Sequence, residues 1–572
     1  MSQAQKRDRR FRLNINKKLM HSFLAMAAIF CCFDASAWSA GPPSGKGGYE
    51  DLVSIYDAFL ASRTPAAWNA NFNEPDAPNH GLIDYGSAAS AARLNTIEEL
   101  RSRLDGLNVK AWKRPRQSEF LAVRAQMDGE LFRLRVSRPW ARDPGFYVDQ
   151  IMRFTFTELP LEGDDKVRLE RQLAAVPAII AAARENLDDV AADYATLAIH
   201  NLTKPDGVGH GHPYRAVPPA GVIGWYEDLH ARALESQPEL APSVAAAKNS
   251  IIEFNDWLNA SLESFTAPAG VGAAQYDWYL KHAKLLPYTG DELILMADRE
   301  WERVFSFYTL ARHRNRNLAE LEPAQSKEEY ERRIEATDKN IRDFLTREEI
   351  ITIPDYVGKL GYNAPFIERP GGLNFWEAVQ FRDPHPDHLH AVIPGHRFDG
   401  LVEDNNDHPI RGRLTDGVRT EGWGVYLEEA MMQAGVLGDR PRVDELIYLF
   451  GVFRAARVPA DVRMQRNEWT VQQAVDFMRE KTPWLDENVA RVDAEIYLRR
   501  PPGYGVGYTI GMLQMRKLLA DVSAQKGEDF VMLDFHDDFL AAGRLPVSLI
   551  RWEMTGLDDE VSDFWNTEPM TE

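Results

Sequence analysis

Apolar residues recur at i, i+3, i+4 and i+7 over Tyr49 to Ala61, Asn95 to Leu104, Val167 to Ile199 and Ala241 to Leu262. That spacing lines one face of an α-helix. Asp291 to Leu310 and Lys327 to Leu345 continue it, with dense charge on the opposite face. Alternation of period two is scarce. Phe120 to Ala125 and Leu131 to Val136 are the exception, and they predict one β-hairpin about Asp128-Gly129. The expected fold class is therefore mainly α, a large two-lobed helical body about a central cleft with at most that small hairpin. The stretch from Asn201 to Gly224 breaks the pattern with Gly and Pro. It sets the expected boundary between an N-terminal helical region (41–220) and a C-terminal helical region (221–572). Within the break, His210-Gly211-His212 is either a solvated loop or a pair of metal donors.

The first forty residues are of another kind. Lys6, Arg7, Arg9, Arg10, Arg12, Lys17 and Lys18 form a basic start, followed by the apolar run Leu19 to Phe33 and the small residues Ala35-Ser36-Ala37. This order predicts an export signal over residues 1–40 and a periplasmic or secreted protein, as in Gram-negative-type export. The apolar run is short for a membrane helix, and no later stretch is long enough, so no stable span is expected once the signal is removed. Cys31 and Cys32, the chain's two cysteines, both fall inside that signal. The remainder then has no disulfide framework and is held by its core and any bound metal. With 44% hydrophobic and 27% charged residues, the 572-residue chain has ordinary globular composition. A net charge of −20, without a basic stripe interleaved with aromatics, argues against a nucleic-acid partner.

Candidate chemistry concentrates after residue 380. His390 and His396 stand six residues apart, which on an ideal helix separates them by about 240°, so they cannot share a face of one helix. Pro394-Gly395 lies between them and supplies a bend that could bring both rings to one ion. Glu421 and Glu428 come next, seven residues apart and hence on one helical face. Two imidazoles and a downstream carboxylate make a zinc ligand set that leaves a position for water or substrate, giving His390, His396 and Glu421 as candidate ligands. The alternative is that Glu421 caps its helix and Glu428 is solvated. The glutamate that takes a proton from the bound water in such sites normally comes directly after the first histidine. Here that position is Ala391.

His390-x-x-x-Pro394-Gly395-His396, Glu421-Gly422-Trp423-x-x-Tyr426-x-Glu428, Pro502-Gly503-x-x-x-x-Tyr508-x-Ile510-Gly511 and Phe535 to Pro546 occur in that order. Together they resemble the bacterial family called domain of unknown function 885, over roughly residues 220 to 555. The resemblance implies a mostly helical fold with a metallopeptidase-like, gluzincin-type zinc site, related in plan to thermostable carboxypeptidases and oligopeptidases. It supports zinc at His390, His396 and Glu421, and it matches Tyr508 to a tyrosine that donates to a developing oxyanion, the other reading being a core tyrosine. The departures are Ala391 for the family's glutamate, Gln465 in Asp461-Val462-Arg463-Met464-Gln465 where a histidine is expected, and Tyr497-Leu498 where Arg-Tyr is frequent. Ordinary peptide hydrolysis is thereby in doubt, since a positioned general base contributes about 10²–10⁴ in rate. Asp387, His388 and Glu428 are candidate substitute bases, although Asp383 to His388 also reads as a plain hydrophilic loop. His536 is expected to make a buried structural hydrogen bond.

Three functions remain. One is an exported zinc enzyme with altered chemistry, performing metal-assisted hydrolysis or elimination on a non-standard small-molecule or peptide-like substrate, with Tyr508, Glu428 and His388 as catalytic candidates. Another is an inactive, metallopeptidase-like binding protein. The third is a true metallopeptidase with a substitute base.

Overall fold

The computed structural model describes residues 41–63, 82–206 and 215–570. The export signal and His210-Gly211-His212 thus lie outside the described residues. The described chain is mainly α, as the periodicity predicts, and its only β pairing is two isolated bridges, Gly47 with Leu107 and Ala191 with Thr266. Helices stand where one apolar stripe was legible: Tyr49–Ser62, Ala241–Ser261, Gly290–Arg314 and Lys327–Arg347. Local chemistry sets their starts. Thr289 and Glu292 form a reciprocal capping box at one, and Ser326 accepts from the Glu329 N–H at another.

The hairpin expected about Asp128-Gly129 is absent. Arg114–Phe132 is one helix, continued by a wide turn over Arg133–Ser137. Every residue from Ser118 to Ala125 is buried, and a helix enclosed on all sides carries no 3.6-residue stripe. Asp128 binds the Arg101 guanidinium at 2.8 Å instead of heading a turn. The single helix expected over Val167 to Ile199 is two, Gly163–Asn186 and Ala192–Thr203. Asp189 draws the chain out between them, its N–H bonded to the Ala141 carbonyl at 3.1 Å and its carboxylate paired with Arg138 and Arg142.

One hydrophobic cluster runs from Leu52 to Trp565 and crosses residue 220. Gly163–Asn186 packs on Ala241–Ser261 and Ala192–Thr203 on Gly221–Ser236, so elements on either side of the boundary drawn at 220 share a core. Phe120 stacks on Trp565 with centroids 6.1 Å apart. Among the described residues no helix is long and apolar enough to cross a membrane.

Two helix pairs frame the histidines. The Glu421 helix (Gly417–Ala434) lies along the Tyr508 helix (Val506–Lys526), and the Arg457 helix (Val443–Gln465) along Gly290–Arg314. The first pair meets glycine to glycine. A Cβ on Gly422 would come 2.5 Å from the Gly511 Cα, and one on Gly511 would come 2.3 Å from the Val418 carbonyl oxygen.

Candidate metal centre

His390 ends the short helix His385–Ala391, and His396 begins the next, His396–Asp404. The bend between them needs glycine, because a Cβ at Gly395 would lie 1.9 Å from the His390 carbonyl oxygen. The Trp423 indole N–H holds the bend by donating to the Pro394 carbonyl at 2.9 Å. The chain thus doubles back and brings both imidazoles to the Glu421 helix.

The two Nε2 atoms are 3.1 Å apart, and Glu421 Oε2 lies 3.5 Å from that of His390 and 3.3 Å from that of His396. A tetrahedral zinc site with bonds of about 2.0–2.2 Å has donor–donor edges of roughly 3.3–3.6 Å; the two separations from Glu421 fall in that range and the one between the imidazoles is slightly shorter. Glu421 Oε2 is buried and accepts no hydrogen bond. A buried carboxylate oxygen left so is costly unless a cation meets it. Donor set, spacing and the orphaned oxygen all fit a zinc ion. The His396 side chain is 28% exposed, against 10% for His390 and 15% for Glu421, so the centre opens toward His396.

Glu428 stands behind His390. Its Oε1 lies 2.8 Å from His390 Nδ1, and its Oε2 is paired with the buried Arg454 guanidinium. The seven-residue spacing therefore puts one carboxylate against each nitrogen of the same imidazole. Gly424 lies between them on that stripe, where a Cβ would come 2.6 Å from His390 Nδ1. Burial and the Arg454 charge disfavour protonated His390, but Glu421 and Glu428 outweigh them and raise its pKa above the ordinary value. Burial would raise the Glu421 pKa, yet the facing histidines hold it well below the usual carboxylate range.

The Tyr508 ring lies parallel to that of His390, with centroids 6.4 Å apart and planes at 11°. Its hydroxyl donates to the Tyr504 hydroxyl at 3.4 Å, and Tyr504 donates to Glu421 Oε1 at 3.5 Å. His388 turns away, its Nε2 lying 3.0 Å from Asp338, on the helix Lys327–Arg347. Asp387 accepts from Asn363 at 3.0 Å, and Asp383 is bound by His385 at 2.6 Å. His536 has the buried structural role expected of it, with Nε2 2.9 Å from the Tyr426 hydroxyl and Nδ1 2.7 Å from the Ile350 carbonyl oxygen. The divergent Gln465 donates to the Tyr497 carbonyl at 2.7 Å, and the Tyr497 hydroxyl donates to Asp493 at 2.9 Å. Sequence reasoning missed Tyr504, Gly424, Arg454 and Arg457. The stripe Glu421-x-x-Gly424-x-x-x-Glu428 and two arginines inside an apolar helix were the available signals.

These features define a helical protein with a His-His-Glu candidate metal centre. The chain belongs to the bacterial family of proteins of unknown function DUF885, which matches residues 69–554. The match begins well before residue 220, where the motif resemblance starts. No curated protein matches the chain significantly. Among solved structures it is similar to a candidate lipoprotein of unknown function from Shewanella oneidensis, at TM-score 0.65 and 17% identity over 89% of this chain and 100% of that one. It is also similar to a candidate lipoprotein from Colwellia psychrerythraea, at TM-score 0.64 and 16% identity over 89% and 98%. At these identities the likeness establishes the shared fold.

Proposed function

We propose that this protein is an exported zinc enzyme acting on a non-standard small or peptide-like carbonyl substrate by metal-assisted hydrolysis or elimination. One observation carries the reading: three donor atoms spaced like the edges of a tetrahedral zinc site, one of them a buried carboxylate oxygen without a hydrogen bond. Zinc held by His390, His396 and Glu421 supplies Lewis-acid polarisation of an oxygen or a more acidic bound water.

The chain's own residues restrict the chemistry open to such a centre. Ala391 offers no proton acceptor. Glu428 is committed between His390 and Arg454, so it acts as a positioning carboxylate, fixing the ring and raising its basicity. His388 is committed to Asp338. Burial and the Glu421 charge push the pKa of Tyr508 well above its ordinary value and raise that of Tyr504. Both phenols therefore stay protonated at neutral pH and can donate to charge developing on a substrate oxygen. The arrangement favours chemistry limited by oxyanion stabilisation over chemistry that needs a strong base at position 391. A periplasmic or secreted location is supported by the signal-like first forty residues and by the two similar structures, both of candidate lipoproteins.

Elemental analysis of the purified protein, followed by peptide and non-peptide substrate panels with and without chelator, tests the reading. About one zinc per chain is expected, together with chelator-sensitive turnover of a non-standard substrate. Zinc should also raise the melting temperature of the wild type and not of His396→Ala, because a ligand specific to the native state stabilises it. A metal-free protein whose stability ignores added zinc overturns the proposal. Zinc binding without turnover of any substrate would move the assignment to a binding protein, the reading that Ala391 favours.

A further inference from the structure

We propose that Arg457 and Arg500, set around Tyr504 and Tyr508, receive a carboxylate of the substrate beside the metal centre. The inference rests on the zinc reading and deepens it by naming the substrate class, molecules with a carboxylate within a few bonds of the polarised carbonyl.

Four donors converge here with few acceptors. Arg500 comes directly after the helix Glu487–Arg499 and is exposed; its guanidinium sits 4.7 Å over the Tyr504 ring and makes no ion pair among the described residues. Tyr504 reaches Glu421, and its ring meets that of Tyr508 edge-on with centroids 6.0 Å apart. Arg457 covers the Tyr508 ring at 4.3 Å and is 3% exposed. Among the described residues its one carboxylate partner is Asp493, 2.8 Å from Nη2, Asp493 also accepts from Tyr497, and the Arg457 Nε is buried without a hydrogen-bond partner. The order is Arg500, Tyr504, Tyr508, Arg457, with the phenol hydroxyls running to Glu421.

The electrostatic balance is unusual for this chain. Its net charge is −20, yet around the centre the acceptors are spent. Glu421 faces the histidines, Glu428 holds Arg454, and Asp493 serves two donors. An incompletely paired buried arginine and an unpaired exposed one remain, and adding a zinc ion makes the region more positive. Such a field selects an anion, and the planar guanidinium fork suits a carboxylate in particular. Tyr504, lying between Arg500 and Glu421, sets the spacing of one phenol between the recognised anion and the reacting carbonyl.

The test uses the zinc-loaded full-length protein and calorimetric titration with three probes that share a metal-binding hydroxamate. One is the monohydroxamate of succinic acid; the others replace its carboxylate with a carboxamide or a phosphonate. The acid is expected to bind about tenfold tighter than the amide, the gain of one charge-assisted hydrogen bond, and tighter than the phosphonate. Arg500→Gln, a change at an exposed position, should bring the acid-to-amide ratio close to one, chiefly by weakening the acid. Arg457→Lys should reduce the ratio in part. Equal binding of acid and amide to the zinc-loaded wild type, or a ratio unchanged in Arg500→Gln, overturns the carboxylate cradle and leaves the metal centre standing. Tighter binding of the phosphonate overturns the carboxylate in favour of a phosphate-like anion. If the protein holds no zinc, the metal reading falls separately, and the cradle must then show Arg500-dependent binding of succinate over succinamide or fall too.

Discussion

His390 is held at both ring nitrogens because Glu421 and Glu428 stand two turns apart on one helix and Gly424, between them, leaves room for the ring. Gly424→Ala tests this directly. Its methyl group would overlap His390 Nδ1, and the ring would have to leave the position it shares with His396. On the proposed zinc reading, affinity for the ion is expected to fall roughly 10–100-fold, the usual effect of disturbing the support of a ligand, with helical content preserved; competition against a fluorescent chelator measures it. The ligand types and the seven-residue carboxylate spacing were legible in the sequence. The side of His390 that each carboxylate takes was not, because it depends on where the bend at Pro394-Gly395 delivers the ring. Buried His536 gives a second prediction at this scale. Burial lowers its pKa from 6.5 to about 4, against the pull of the Ile350 carbonyl and Asp537. The fold therefore favours the neutral ring, and the unfolded chain binds the extra proton between these values. Stability from this residue is complete above about pH 6.5 and is lost as pH falls toward 4, by about 3 kcal/mol in all. Urea titrations from pH 7 to pH 4 should show His536→Gln less stable than wild type at neutral pH, with a shallower acid slope. Parallel slopes would remove His536 from the account.

Between elements, the contact that sets the site is the glycine crossing of the Glu421 and Tyr508 helices. It lets one helix place Glu421 and the other place Tyr504 and Tyr508 within reach of the same centre. In Gly511→Ala the new methyl group would meet the Val418 carbonyl oxygen at 2.3 Å, and backbone must move to admit it. We expect a loss of roughly 1–3 kcal/mol, the usual cost of overpacking, accompanied by weaker zinc binding as Glu421 shifts. Denaturant unfolding and zinc titration of one preparation would show both, and loss of neither would mean that the helices are not fixed at this crossing. The same packing explains which helices could be read from the sequence. Lys327–Arg347 buries Tyr330, Ile334, Ile341 and Phe344 on one side and shows its period. Arg114–Phe132 is enclosed through Ser118 to Ala125, so its run of apolar residues imitates a strand. The break at Asp189 depends on Arg138 and Arg142, about fifty residues earlier in the chain, and no local pattern records it.

At the scale of the whole molecule, the Gly- and Pro-rich stretch before Gly221 looks like a domain boundary because composition reports the local chain and not what packs across it. The structure ties the two sides together through buried polar links as well as the common core. Tyr194 donates to the Leu498 carbonyl at 3.1 Å, Asn201 to Glu495 at 2.6 Å, Arg499 to Asp143 at 2.8 Å, and Arg411 to Glu119 at 2.7 Å. Separating the regions would expose apolar surface on both and break the Arg411–Glu119 and Arg499–Asp143 ion pairs, and breaking a buried pair costs several kcal/mol. We therefore propose that the two regions form one folding unit, since an independent domain needs a core of its own with few contacts crossing its boundary. The expected behaviour is one cooperative transition, with calorimetric and van't Hoff enthalpies in agreement and a midpoint that chelator shifts downward as a whole. A fragment beginning at Gly221 should lack that transition and expose apolar surface to a hydrophobic dye, although it contains His390, His396 and Glu421. Two resolved transitions in the intact protein, or a fragment that melts cooperatively and binds zinc as the whole chain does, would show that the metal centre belongs to an autonomous C-terminal domain and that the shared core is not needed to build it.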